Sequence, residues 1–121
     1  MASVVVVEDE EDVRRVIVRL LRRAGHEVEQ ACNGKEGLDL VLGNPVDLVV
    51  SDIDMPVMDG IEMCRNIRGD ARTRDLPILM VSGSLLPGDD RPLQAGATLV
   101  LTKPFAGPEL LQCVAEALDR G

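Results

Sequence analysis

Four consecutive valines at residues 4–7 are followed at once by two acids, Glu8 and Asp9. A short, fully apolar run of β-branched residues is typical of a strand that is buried on both faces of a parallel sheet, because such a strand has no face turned to water. Further strands are predicted at residues 26–31, 46–51, 77–81 and 98–101. Parallel neighbours can be joined only by long crossovers, so a chain of this kind needs helices between its strands.

The segments between the predicted strands carry apolar residues at helical spacing. Residues 13–24 repeat apolar side chains every three or four positions, and Gly25 is well placed to end that helix. The remaining helices are predicted at residues 35–42 and 61–68 and at a closing stripe of Leu110, Leu111, Val114 and Leu118. Strands that alternate with helices predict an α/β fold with right-handed crossovers and helices on both faces of the sheet.

The bulk composition narrows the class of protein. At 121 residues the chain suits one domain, residues 1–121, with a hydrophobic core. A net charge of −8 and a single aromatic residue, Phe105, argue against direct binding of nucleic acid, which uses basic surfaces and base stacking. No apolar run is long enough to cross a bilayer, and three widely spaced cysteines predict neither disulfides nor a zinc site. We therefore expect a cytoplasmic protein that does not bind membranes.

Polar residues follow the predicted strands at the points where the strands end. Glu8 and Asp9 follow the first strand and Asp52 follows the third. Ser82 follows the fourth strand and Lys103 the fifth. The carboxyl ends of parallel strands meet at one edge of a sheet, which is where such sheets bind ligands. We expect these five side chains to lie close together.

This set of side chains suits phosphoryl transfer. Three crowded carboxylates repel one another, and a hard cation such as Mg²⁺, which prefers oxygen ligands, relieves that repulsion. A carboxylate can also attack phosphorus and form an acyl phosphate, whose charged oxygens need neutralising groups. On this interpretation Asp52 is the nucleophile, Glu8 and Asp9 hold the metal, and Ser82 and Lys103 bind the phosphoryl oxygens.

Five segments together resemble the receiver domains of two-component response regulators. They are VEDE at 7–10, SDIDMPVMDG at 51–60, VSG at 81–83, GA at 96–97 and LTKPF at 101–105. The resemblance spans essentially the whole chain and implies a flavodoxin-like sheet with strand order 2-1-3-4-5. It also implies that a histidine kinase or phosphotransfer protein phosphorylates Asp52 with Mg²⁺ as cofactor. A main-chain metal ligand at Asp54 and a cis peptide bond between Lys103 and Pro104 belong to the same expectation.

The resemblance implies a signalling domain rather than an enzyme with an external substrate. Such a domain catalyses only its own phosphorylation and dephosphorylation, and it switches conformation to control a downstream effector protein or an attached domain. Residues two positions past the acceptor and the switch hydroxyl, here Asp54 and Ser84, line the path of attacking water in this family. We therefore expect both residues to influence the lifetime of the phosphoryl group.

Two features depart from the family pattern. Many receivers carry an aromatic residue in the fifth strand that repacks on switching, and here that position is Val100. The segment after Ser82 contains the turn signal Pro87-Gly88, and Pro92 is tolerated only in a first helical turn. We expect a short or irregular fourth helix and a modified output face. Exposed Leu85 and Leu86 are one hypothesis for a partner contact there, with burial of both in the core as the alternative.

Other interpretations of the same residues stay open at this point. Glu8 contacts the metal either directly or through water, and Glu10, Glu11 and Asp12 either extend the metal site or complement a helix dipole. Asp52-Ile53-Asp54 is also similar to the Asp-x-Asp motif of haloacid-dehalogenase-like phosphatases, although no segment is available to cap a substrate. A phosphorylation-independent adaptor on the same fold is the third alternative.

Overall fold

The structure, a computed structural model, describes residues 1–120, so the last residue of the predicted domain, Gly121, lies outside the described residues. Strands and helices alternate strictly along the described chain. The strands are β1 (Ser3–Val7), β2 (Glu27–Ala31), β3 (Leu48–Ser51), β4 (Ile78–Ser82) and β5 (Leu99–Thr102). The helices are α1 (Glu11–Arg23), α2 (Gly34–Gly43), α3 (Gly60–Gly69), α4 (Arg91–Gln94) and α5 (Gly107–Arg120).

The strands form one parallel sheet in the order β2-β1-β3-β4-β5. This confirms the predicted flavodoxin-like order. The chain passes outward from β1 to β2 and then returns across β1 to β3, so the order reverses between β1 and β3. In open parallel sheets, the carboxyl ends of the strands at such a reversal border a crevice that binds ligands.

The valines of β1 show how the sheet is held between two helical layers. Successive side chains of a strand point to opposite faces. Val4 and Val6 belong to one apolar cluster, together with residues of α1 and α5. Val5 and Val7 belong to a second cluster on the other face, together with residues of α2 and α3. Fully burying a valine stabilises a fold by about 1.5–3 kcal/mol, so the two clusters together anchor β1 firmly.

The helix ends follow the sequence signals closely. Helix α1 ends before Gly25, which has a φ of 95°, a left-handed conformation that glycine adopts without strain. Asp59 caps α3 by accepting a hydrogen bond of 2.8 Å from the backbone N–H of Glu62. Across the described residues, no helix has the length and apolar character that crossing a membrane requires.

The region after β4 has the predicted irregularity. Helix α4 contains four residues, with Pro92 in its first turn. Neither alternative for Leu85 and Leu86, exposure of both or burial of both, holds: Leu85 is half-buried against the apolar cluster on the α2 and α3 face. Leu86 is 76% exposed. Adjacent residues of this loop thus differ in burial, and the sequence does not show which of the two contacts the core.

Candidate functional site

Backbone hydrogen bonds hold the acidic residues and the lysine at the carboxyl edge of the sheet. The N–H groups of Glu8, Asp52 and Lys103 donate to carbonyls of β2, β1 and β4, at 3.1, 3.0 and 2.8 Å. The parallel pairing therefore continues one residue past the end of each strand. As a result these three residues begin their loops from defined positions on the sheet.

The carboxylates of Glu8, Asp9 and Asp52 lie together, as predicted. Each offers one oxygen, and these oxygens all lie within 4.8 Å of one another. Glu8 is 1% exposed and Asp52 9%, whereas Asp9 is exposed to solvent. Three anionic groups at this separation repel one another, and their oxygens are the ligands that hard divalent cations prefer. The donor set therefore fits Mg²⁺ in its chemistry.

Lys103 balances part of this negative charge. Its Nζ donates to Oε1 of Glu8 at 2.8 Å and to Oδ2 of Asp52 at 3.1 Å. Burial alone would lower the pKa of Lys103, but the hydrogen bonds to the two carboxylates outweigh burial and raise the pKa. Burial raises the pKa of Glu8 to about 7, against the opposing effect of the hydrogen bond from Lys103. The peptide bond between Lys103 and Pro104 is cis, as expected.

The local backbone fixes the orientation of Asp52. Its Oδ1 accepts a hydrogen bond of 2.7 Å from the N–H of Ile53, and its carbonyl oxygen accepts one of 2.7 Å from the hydroxyl of Ser51. The N–H of Gly60 donates to the carbonyl of Ile53 at 2.8 Å. A Cβ at Gly60 would overlap the carbonyl oxygen of Asp52, so this close approach requires glycine. Asp59-Gly60 is therefore a capping and packing signal as well as a turn.

Ser82 connects to Asp54 through Ser84. Oγ of Ser82 accepts from the backbone N–H of Ser84 at 3.2 Å and lies 3.1 Å from its Oγ. Oγ of Ser84 in turn donates to Oδ2 of Asp54. The side chain of Asp54 is therefore engaged with the loop after β4. The expected main-chain metal ligand at Asp54 and the role of both residues in phosphoryl lifetime stay predictions.

Comparison with known proteins shows the family of this chain. Residues 4–115 match the family model of the response regulator receiver domain. The chain belongs to this family. The response regulator MprA of Mycobacterium sp. (strain KMS) is 41% identical over 118 residues, which is 97% of this chain and 50% of MprA. This chain spans about half the length of the curated relatives that it matches.

Solved structures extend the similarity to the whole receiver fold. The chemotaxis response regulator CheY4 of Vibrio cholerae has a TM-score of 0.91 and 34% identity, over 97% of this chain and 98% of CheY4. The receiver domain of the sensor histidine kinase PA1611 from Pseudomonas aeruginosa has a TM-score of 0.90 and 30% identity, with 98% of each chain covered. That structure holds a magnesium ion in its active-site cleft. This chain is thus a receiver domain of two-component signalling.

One contact at the receiver site is not visible in the sequence. Nη1 of Arg14 donates to the carbonyl oxygen of Glu8 at 2.9 Å, and its Nε donates to Oε1 of Gln30 at 3.2 Å. Arg14 therefore ties the turn after β1 to α1 and β2. Its helical position gives no signal of this role, because Gln30 becomes its neighbour only through the pairing of β1 with β2.

The acids after Asp9 and the residue in place of the usual aromatic also have defined positions. Glu11 and Asp12 lie in the first turn of α1, where acids complement the helix dipole, and Glu10 precedes that turn. The acidic group at the sheet edge contains none of the three. Val100 is half-buried against the apolar cluster on the α2 and α3 face, so a small side chain fills the position that an aromatic residue has in many receivers.

Proposed function

We propose that Asp52 accepts a phosphoryl group from a phosphohistidine of a histidine kinase or phosphotransfer protein. The observation that carries this proposal is the central position of Asp52. It follows β3, which lies between β1 with its two acids and β4 with Ser82. Asp52 also belongs to the acidic group and accepts a hydrogen bond from Lys103. Metal-binding groups on one side and phosphoryl-binding groups on the other are what an acceptor carboxylate requires.

Glu8, Asp9 and Asp52 are the residues that would hold Mg²⁺, with the main-chain carbonyl of Asp54 as a further ligand. When bound, the cation would neutralise charge on the carboxylates and on the transferred group. Asp9 is exposed and would reach the cation directly, whereas buried Glu8 would act directly or through water. The magnesium ion in the active-site cleft of the similar PA1611 receiver domain supports this assignment.

Transfer of the phosphoryl group requires only one covalent step from the protein, the attack by Asp52. A carboxylate oxygen of Asp52 attacks phosphorus while the bond from phosphorus to the donor imidazole nitrogen breaks, and that nitrogen keeps the electron pair. Ile53 and Lys103 already orient the carboxylate through its two oxygens. Lys103 and Ser82 would then donate hydrogen bonds to the phosphoryl oxygens. Loss of the group by hydrolysis would be the only further reaction of the domain.

The phosphorylated receiver, which we take to span residues 1–121, would act on another protein or on an attached domain. The phosphoryl group carries about two negative charges while Asp52 loses its own on forming the acyl phosphate, so the acidic site gains about one negative charge and the hydrogen bonds from Lys103 and Ser82 would have to rearrange. Such a rearrangement changes the loops after β4 and β5 and therefore the surface that a partner meets. The chain's net charge of −8 makes a protein partner more suitable than nucleic acid.

Titration with Mg²⁺ followed by amide NMR tests the metal part of this proposal. In the wild-type protein we expect shifts centred on residues 8, 9, 52 and 53, and Asp9→Asn should weaken binding at least about tenfold, since the site loses one of its charged oxygen ligands. Asp47→Asn is the matched control, because Asp47 is an exposed aspartate that bonds to the N–H of Ser3 at the other end of the sheet. Equal affinities in the two variants would contradict the assignment.

A further inference from the structure

The single hydroxyl proton of Ser82 is already used in this structure. Oγ of Ser84 donates to the carboxylate of Asp54, and a carboxylate has no proton to give in return. A serine hydroxyl carries one proton, so Ser84 has none left for its contact of 3.1 Å with Oγ of Ser82. In that contact Ser82 must therefore be the donor. Counting protons in this way gives a direction to a hydrogen bond that the positions of the oxygens leave open.

We propose that Ser84, held in place by Asp54, competes with the phosphoryl group for the hydroxyl proton of Ser82. This inference rests on the proposed function, in which Ser82 donates to a phosphoryl oxygen on Asp52. Ser82 cannot make that bond until it gives up the bond to Ser84. Ser84 is thus a positioning residue that stabilises the unphosphorylated arrangement and reduces the receiver's affinity for a phosphoryl group.

The surroundings of Ser82 make this competition effective. Ser82 is 1% exposed, so water does not readily replace Ser84 as the acceptor of its proton. The backbone N–H of Ser84 also donates to Oγ of Ser82, at 3.2 Å. Replacing Ser84 with alanine keeps that backbone hydrogen bond and removes only the competing acceptor. Ser84 and Asp54 are both exposed, so Asp54 is solvated in this variant, and the one buried group that loses its partner is the hydroxyl proton of Ser82.

Binding of beryllofluoride with Mg²⁺, measured by calorimetry, tests the inference, because beryllofluoride imitates a phosphoryl group on a carboxylate. A neutral hydrogen bond has a modest net free energy, so Ser84→Ala should tighten binding by about three- to tenfold. Ser84→Thr keeps the competing hydroxyl and should restore the wild-type affinity. Ser3→Ala, at the opposite end of the sheet, should leave the affinity unchanged.

A second pair of variants ties the effect to the proton of Ser82. Ser82→Ala and the double variant Ser82→Ala/Ser84→Ala should bind beryllofluoride with equal affinity, since neither has a proton to compete for. Equal or weaker binding by Ser84→Ala than by the wild type would overturn the inference, and so would tightening that persists without Ser82. A wild-type protein that does not bind beryllofluoride at all would instead contradict the proposed function, and the inference would be lost with it.

Discussion

Glu8 and Lys103 are separated by 95 positions in the sequence, and their charged groups are 2.8 Å apart. The strands that precede them, β1 and β5, are not neighbours, because β3 and β4 lie between them. The side chain of Lys103 extends over the ends of these two strands and contacts Asp52 on the way to Glu8. One lysine therefore connects the ends of the first and last strands and also binds the carboxylate of Asp52 between them.

Removing Lys103 should destabilise the metal-free receiver. In Lys103→Met the nearly buried carboxylates of Glu8 and Asp52 lose their cationic partner, and we expect the free energy of unfolding to fall by about 1–3 kcal/mol. Lys35→Met is the matched control, since Lys35 pairs with Asp39 at 2.9 Å with side chains 56% and 62% exposed. An exposed pair of this kind contributes less than about 0.5 kcal/mol. Urea denaturation of both variants measures the difference, and equal losses would contradict the account.

Glu8 should make the stability of the metal-free receiver depend on pH. Burial raises its pKa from 4.5 to about 7, so the folded protein holds this proton more tightly than the unfolded chain does. The resulting stability is fully present below pH 4.5 and is lost as the pH rises through about 7. Between about pH 5 and about pH 8 the wild type should lose on the order of 2 kcal/mol more than Glu8→Gln. The free energies of unfolding are measured by denaturation at each pH with a chelator present. If they change equally with pH in the two proteins, Glu8 is not a buried, protonated residue.

The residues after the strands were predictable because parallel pairing brings strand ends together. The pattern of apolar runs and polar residues after them predicts the grouping of Glu8, Asp9, Asp52 and Lys103 without knowledge of any side-chain rotamer. The contact between Ser84 and Asp54 joins two loops whose conformations depend on turns and packing. Arg14 likewise acquires its role only from the neighbouring strand. Sequence patterns therefore predict which residues meet at the edge of the sheet. The further contacts around them depend on loop conformation and are not predicted.

The loop after β4 offers a direct test of side-chain placement. Leu85→Ser should lower the free energy of unfolding by about 1–3 kcal/mol, because it puts a hydroxyl against the apolar cluster that Leu85 contacts. Leu86→Ser should change it by less than about 0.5 kcal/mol, because Leu86 is 76% exposed. If Leu86→Ser proves as destabilising as Leu85→Ser, the described loop conformation is wrong.

The loop after β3 holds an energetically unfavourable residue that substitution should relieve. Val57 has a φ of 70°, and the N–H of Met58 donates to the carbonyl of Pro56 at 2.7 Å, which forms a γ-turn around it. A β-branched residue is strained in this conformation, and Val57 is 80% exposed, so little packing is lost with its side chain. We expect Val57→Gly to raise the free energy of unfolding by roughly 0.5–1 kcal/mol, as measured by thermal denaturation.

The same substitution in a helix should have the opposite sign. Val16 lies in α1 and is 55% exposed, so Val16→Gly replaces a valine of helical conformation with a residue of lower helix propensity. A loss of roughly 0.5 kcal/mol or more is expected there. Destabilisation by Val57→Gly to the same extent as by Val16→Gly would show that Val57 is not strained.

The central claim is that Asp52 is the phosphoacceptor, and intact-mass spectrometry after incubation with acetyl phosphate and Mg²⁺ tests it most directly. The account predicts the gain of one phosphoryl group that requires Mg²⁺, is absent in Asp52→Asn and persists in Asp47→Asn, whose aspartate lies at the other end of the sheet. A phosphoryl group on the Asp52→Asn variant would contradict this claim. So would a folded wild-type protein that gains no phosphoryl group from acetyl phosphate and none from a phosphorylated histidine kinase.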